Sequence, residues 1–148
     1  VWNDAEGGIE VVDRQNNESF LIKNSGGSAG VWTQDSRAIY FEDIIQGEIN
    51  FRNVIMKADM AAQQVTIVAG GNLDASENNY RLPVWNPAGA GFAVITQPNP
   101  QIPGGEIWLM SPDGEKIKVI YSDFSKVTSF TGWRISAVQG VFLIRRRR

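Results

Sequence analysis

The stretch Gly30-Val31-Trp32-Thr33-Gln34-Asp35-Ser36-Arg37-Ala38-Ile39-Tyr40-Phe41 returns in altered form as Pro83-Val84-Trp85-Asn86-Pro87-Ala88-Gly89-Ala90-Gly91-Phe92-Ala93-Val94. In both, a short apolar segment ends at Trp, a polar or Gly-rich turn follows, and an apolar segment resumes seven residues after the Trp. Thr131-Gly132-Trp133 leading to Val141 repeats the pattern with one extra residue. Between these units lies a second recurring pair. Ile9-Glu10-Val11-Val12-Asp13 leads to Phe20-Leu21-Ile22, and Val54-Ile55-Met56-Lys57-Ala58-Asp59 leads to Val65-Thr66-Ile67-Val68. Ile107-Trp108-Leu109-Met110 leads through Ser111-Pro112-Asp113-Gly114 to Ile117-Lys118-Val119-Ile120. Each is an apolar strand, a turn of the Asp or Asp-Gly kind, and another strand.

Outward from these units the same texture continues. Apolar bursts of three to six residues, rich in Val, Ile, Phe, Tyr and Trp, alternate with Gly, Asn, Asp, Pro and Ser, which is the signature of strands and turns. Twelve such bursts lie between Ile9 and Ile144 and predict an all-β chain of repeated four-stranded antiparallel units. One segment has two readings. Val54, Ile55, Ala58, Ala61, Ala62 and Val65 can be laid on one helical face, whereas the neighbouring units favour a hairpin turning at Ala58–Ala62.

Composition narrows the chemistry. The 148 residues carry 14 Lys and Arg against 16 Asp and Glu, a net charge of −2 that gives no support for nucleic-acid affinity. With no Cys and no His, the chain excludes a disulfide scaffold, a thiol nucleophile, a zinc site of the usual ligands and a Ser-His-Asp centre within itself. No run of 18 apolar residues is present to span a membrane as a helix. The start at Val1 and the run Arg145–Arg148 read as cut points in a longer chain.

On the Trp turns and Asp turns together, the chain resembles the TolB-like and WD-like β-propeller repeat family, whose blades join strands a and b through a Trp-Ser-Pro-Asp-Gly turn. Trp32-Thr33-Gln34-Asp35-Ser36 keeps the Trp and Asp of that motif, and Trp85-Asn86-Pro87-Ala88-Gly89 keeps Trp, Pro and Gly. Trp133 stands alone, and the intact Ser111-Pro112-Asp113-Gly114 sits in the c–d turn instead. The separations of 53 residues from Trp32 to Trp85 and 48 from Trp85 to Trp133 are close to a blade period. The resemblance implies a propeller segment divided as half blade 9–22, blade 31–69, blade 83–121 and half blade 130–145. It implies further a periplasmic or extracellular setting and a role in protein assembly.

In that arrangement the a–b and c–d turns share one rim, and the longer connections Glu42–Asn53, Gly70–Leu82, Gln97–Glu106 and Ser122–Ser129 share the other. Long loops on a rigid scaffold are where binding residues concentrate. The candidate binding residues are therefore Asp74, Glu77, Tyr80 and Arg81 in one loop, and Glu48, Phe51 and Arg52 in the loop before it. An aromatic, a cation and carboxylates together suit a protein or peptide partner. The competing reading has Tyr80 packing on its own sheet and Arg81 paired with a nearby carboxylate. Asp13, Asp35, Asp59 and Asp113 all fall where Asp caps turns, and no calcium-loop pattern or catalytic carboxylate pair is visible. No cofactor or metal is expected.

The leading expectation is a non-catalytic binding and scaffolding segment, partnered by a protein or peptide and by the rest of a longer propeller or by another copy. The alternative is the propeller portion of a larger, prolyl-peptidase-like hydrolase that gates substrate access. In that case a Gly-x-Ser-x-Gly elbow would lie elsewhere in the parent.

Overall fold

The structure, a computed structural model, describes residues 8–13, 15–23, 30–46, 51–72, 78–89, 91–98, 105–122, 133–135 and 140–142. Among them there is no helix, and every strand pairing is antiparallel. A hairpin of β1 (Gly8–Asp13) and β2 (Glu18–Lys23) comes first. A four-stranded sheet of β3 (Val31–Trp32), β4 (Ala38–Gln46), β5 (Phe51–Asp59) and β6 (Gln64–Ala69) follows in simple sequential order. A second sheet repeats that order with β7 (Asn79–Trp85), β8 (Phe92–Gln97), β9 (Glu106–Met110) and β10 (Lys116–Tyr121). A hairpin of β11 (Trp133–Ile135) and β12 (Gly140–Phe142) is the last element described.

The apolar bursts form strands because alternate residues find a core on opposite faces. In β4, Ala38 and Tyr40 face the second sheet, while Ile39 and Phe41 face the first hairpin. A core of Ala38, Tyr40, Ile55, Ala69, Tyr80, Phe92, Val94 and Met110 joins the two sheets. On the other side, Ile22, Ile39, Phe41 and Ala58 join hairpin β1–β2 to the first sheet, with Ile9, Val11 and Phe20 packed against them. The first sheet is thus covered on both faces, and so its central strands read as near-continuous apolar runs. The segment with a helical reading is the β5–β6 hairpin: burying Val54, Ile55 and Ala58 between two layers requires strand geometry.

Two of the expected loops are shorter than read. The stretch Glu42–Asn53 is mostly strand, since β4 and β5 pair without interruption from Ala38↔Asp59 to Gln46↔Phe51. Asp43 and Gln46 extend the ladder beyond the core, where polar side chains are tolerated and so disguise the strand. Strand β7 starts at Asn79 and not at Pro83, so Tyr80 and Arg81 lie on a strand. The cause is a bulge: Arg81 pairs with Ile95 and Val84 with Ala93, leaving Leu82 and Pro83 opposite Val94. Leu82 adopts φ +51 there, and Pro83, lacking an N–H, is tolerated on this edge strand only at such a break.

The turns explain how degenerate motifs give one geometry. Thr33, Asn86 and Ser111 each accept, through the main-chain carbonyl, the N–H of the residue three further on, at 3.0, 2.9 and 3.0 Å. Each also caps a later N–H with its own side chain: Thr33 Oγ1 that of Ala38, Asn86 Oδ1 that of Ala88, and Ser111 Oγ that of Glu115. The fourth residue of each turn (Ser36, Gly89, Gly114) has positive φ. The Asp turns form a second class. Asp13 Oδ1 accepts from Gln15 N–H and Asp59 Oδ1 from Ala61 and Ala62 N–H, and Asn17 and Gln63 hold the positive φ.

Gly114 and Gly89 occupy the same turn position but differ in surroundings. A Cβ at Gly114 (φ +89) would lie 1.7 Å from the Val68 carbonyl oxygen of the first sheet, whereas one at Gly89 (φ +81) would meet nothing. Gly114→Ala is expected to destabilise by about 3 kcal/mol, combining left-handed strain with a backbone clash, and Gly89→Ala by about 1 kcal/mol, from strain alone. Urea denaturation of the two variants measures the difference; equal midpoints would show that the Gly114 turn does not seat on the first sheet.

Candidate functional site

At the strand ends nearest the long connections, a buried carboxylate gathers the two sheets. Glu42 follows the apolar run Ile39-Tyr40-Phe41 on β4, at the alternation that faces the second sheet. A carboxylate buried there must be satisfied, and it is. Asn53 Nδ2 donates to Glu42 Oε1 at 3.1 Å, Arg81 Nε to Oε1 at 3.3 Å, and the Leu82 main-chain N–H to Oε2 at 3.1 Å. The bulge makes the last bond possible, because it takes Leu82 N–H out of the β7–β8 ladder. Asn79, also buried, accepts the Asn53 N–H at 3.1 Å, and the buried Arg52 donates through Nη1 to the Asn72 carbonyl.

Of the residues singled out from the sequence, Arg81 and Tyr80 come to this junction and Arg52 lies beside it. Tyr80 is buried in the inter-sheet core, its ring edge-on to Trp108 at 6.1 Å. The Arg81 side chain is 46% exposed while its partner Glu42 is 7% exposed. Phe51, at the start of β5, is 68% exposed, the most of any large apolar residue described. Asp74, Glu77 and Glu48 lie outside the described residues. Sequence reasoning missed Glu42, Asn53 and Asn79. The available signal was a carboxylate at an inward position of an apolar strand.

The opposite, turn-bearing rim holds a cleft of about 440 Å³ at the seam between the sheets, lined by Asp35, Arg37, Lys57, Asp59, Trp85 and Pro112, among others. Its floor is aromatic: Tyr40 stacks on Trp85 with centroids 5.4 Å apart and tilts against Phe92 at 4.7 Å. The Tyr40 hydroxyl donates to the Pro112 carbonyl at 2.8 Å, tying β4 to the β9–β10 turn. The indole N–H of Trp85 is buried without an acceptor among the described residues. The Thr33 hydroxyl, which donates to Asp35 Oδ1 at 2.6 Å, and then the Arg37 N–H hold the Asp35 carboxyl below its usual value. The cleft presents cations, carboxylates and a stacked aromatic wall. Among the described residues no three Asp or Glu side chains converge as metal ligands, and no helix is long and apolar enough to cross a membrane.

No family model matches the chain, and neither the curated proteins nor the solved structures yield a match.

Two outcomes follow from these contacts. Glu42→Ala is expected to destabilise by about 3 kcal/mol, because it strips acceptors from groups in the junction, whereas Arg81→Ala, half in water, costs about 1 kcal/mol. Chemical denaturation at neutral pH separates the two; equal costs would refute the buried role of Glu42. Burial first, then the Asp113 and Asp35 carboxylates, push the Tyr40 phenol up to about 12 from 10.0. A folded-state value above the unfolded one contributes stability that is fully present below pH 10 and lost as pH rises through about 12. Stability measured from pH 8 to 12 is expected to fall on the alkaline side, and Tyr40→Phe to flatten that fall. An unchanged alkaline limb in the variant would refute the assignment.

Proposed function

We propose that the chain is a segment of a β-propeller and acts as a non-catalytic binding and scaffolding module for a protein or peptide, in a periplasmic or extracellular setting. The observation that carries the reading is one turn geometry, repeated at Thr33, Asn86 and Ser111, in two sheets of identical strand order that stack face to face. The flanking two-stranded hairpins support it, since each supplies half of such a sheet. The binding edge is the one carrying Phe51 and Arg81. A bare aromatic on β5 and a half-exposed guanidinium on β7 are side chains of the kind that anchor interfaces. Beneath them, Glu42, Asn53 and Asn79 hold the strand ends, so the edge is preorganised.

The test is a peptide display selection on the immobilised protein, with enriched peptides retested on variants. Phe51→Ser and Arg81→Lys are each expected to weaken capture at least about tenfold, the size of a single hot-spot loss. Arg37→Ala, on the opposite rim, should leave it unchanged. Peptides indifferent to both edge variants would overturn the assignment of this edge.

A further inference from the structure

The cleft at the turn-bearing rim contains an inward charge that the repeat does not call for. Trp32 pairs with Ile39 as Trp85 pairs with Phe92, so Tyr40 corresponds to Ala93. Their partners on the next strand, Lys57 and Leu109, therefore hold equivalent positions. In the second sheet that position is a buried leucine; in the first it is a half-buried lysine. Lys57 stands two residues beyond Ile55 of the inter-sheet core and opposite Tyr40, so it faces the second sheet, where it lines the cleft with Trp85 and Pro112. Its ammonium forms no ion pair among the described residues.

The other charges of the lining are committed. Asp35 Oδ1 accepts from the Thr33 hydroxyl and the Arg37 N–H, and its Oδ2 faces Arg37 Nε at 3.8 Å. Asp59 Oδ1 accepts from the Ala61 and Ala62 N–H groups. Lys57 thus shares this wall with a second donor that lacks an acceptor, the buried indole N–H of Trp85. A buried donor and a half-buried cation without partners are both unfavourable. An oxygen anion entering the cleft relieves both.

We propose that this cleft is a second peptide site, which takes the side-chain carboxylate of an Asp or Glu. Lys57 is its counter-ion, and Trp85 and Pro112 pack against its methylenes. The site goes beyond the binding edge of Phe51 and Arg81 and does not depend on it. A carboxylate suits the lining better than a phosphate, because a dianion would be repelled more strongly by Asp35 and Asp59. A peptide suits it better than a free small acid, because small-ligand sites enclose their ligand and this mouth is open. The Arg37 and Asp35 side chains there are 85% and 59% exposed, so a chain can cross the rim and lower one side chain into the roughly 440 Å³ below.

Titration of the isotope-labelled protein with the capped peptide acetyl-Ala-Ala-Glu-Ala-Ala-amide, followed by NMR, reads the Trp85 indole N–H directly; Trp85→Phe identifies that resonance by its loss. The resonance is expected to shift and to saturate. The same peptide with Gln in place of Glu is expected to bind at least about tenfold more weakly. Lys57→Met, which keeps the apolar stem, should weaken the Glu peptide by a similar factor, and Lys57→Arg should retain it. An unmoved Trp85 resonance overturns the inference, as does equal binding of the Glu and Gln peptides. Both comparisons use the unmodified chain, so they decide the matter even if a variant fails to fold. Undiminished binding by a folded Lys57→Met also overturns it. So does a Gln peptide with a free C-terminus that binds as tightly as the capped Glu peptide, since the cleft would then take a chain end.

Discussion

The structure depends on the packing of β4 and β5 against the second sheet, with Tyr40 at its centre. Tyr40 touches both Trp85 and Phe92, and its hydroxyl reaches the Pro112 carbonyl. A phenol satisfies what Phe or Leu would leave unpaired, because the seam runs from an apolar interior to a turn whose carbonyl accepts a donor. Sheet-on-sheet packing is otherwise non-directional, and two twisted sheets could slide. The Tyr40–Pro112 bond at one end and the Glu42 junction at the other fix the register of one sheet on its neighbour. The buried polar groups lie at the two ends of the seam, with the apolar core of Ile55, Phe92 and Val94 between them.

That arrangement also decides which surfaces remain for contact. A sheet buried on both faces can offer only its strand ends and its outer edges. The outer strands β6 and β10 expose Ile67, Ile117 and Val119, but neither is a flat template. Register breaks interrupt both, Lys116 and Lys118 alternate with the apolar residues of β10, and the Gly114 turn seats against the Val68 carbonyl of β6. Bulges, edge lysines and a covering turn are the usual defences against edge pairing. Strand β1 is regular along its whole ladder with β2, which sets it apart from the defended edges.

Most of the secondary structure was legible because it is governed by short-range rules: period-two burial, and turn residues with a specific backbone task. Asp59 capping two N–H groups and Gly114 at positive φ are written in the residue types themselves. The candidate site was less legible. Arg81 and Tyr80 looked like loop residues because Pro83 marked an apparent strand start, and only the bulge at Leu82–Pro83 lets the strand run through a proline. Glu42 looked like the beginning of a loop because polarity normally ends an apolar strand. Its burial depends on Asn53, Leu82 and Arg81, which lie 11 to 40 residues away. No local pattern encodes such an acceptor cluster.

The pair Trp32 and Trp85 carries the same lesson further. The two residues share a motif position, a turn class and a strand-pairing register, so sequence reading assigns both to packing between layers. What separates them is the neighbour: Trp85 has a β4 strand carrying Tyr40 beside it, and Trp32 has only the β1–β2 hairpin. Identical local physics therefore yields a partly buried, stacked indole in one place and a more exposed one in the other. The repeat thus serves as its own internal control. The well-formed seam between the two sheets shows the contacts that a Trp at this position makes when a strand carrying Tyr40 lies beside it.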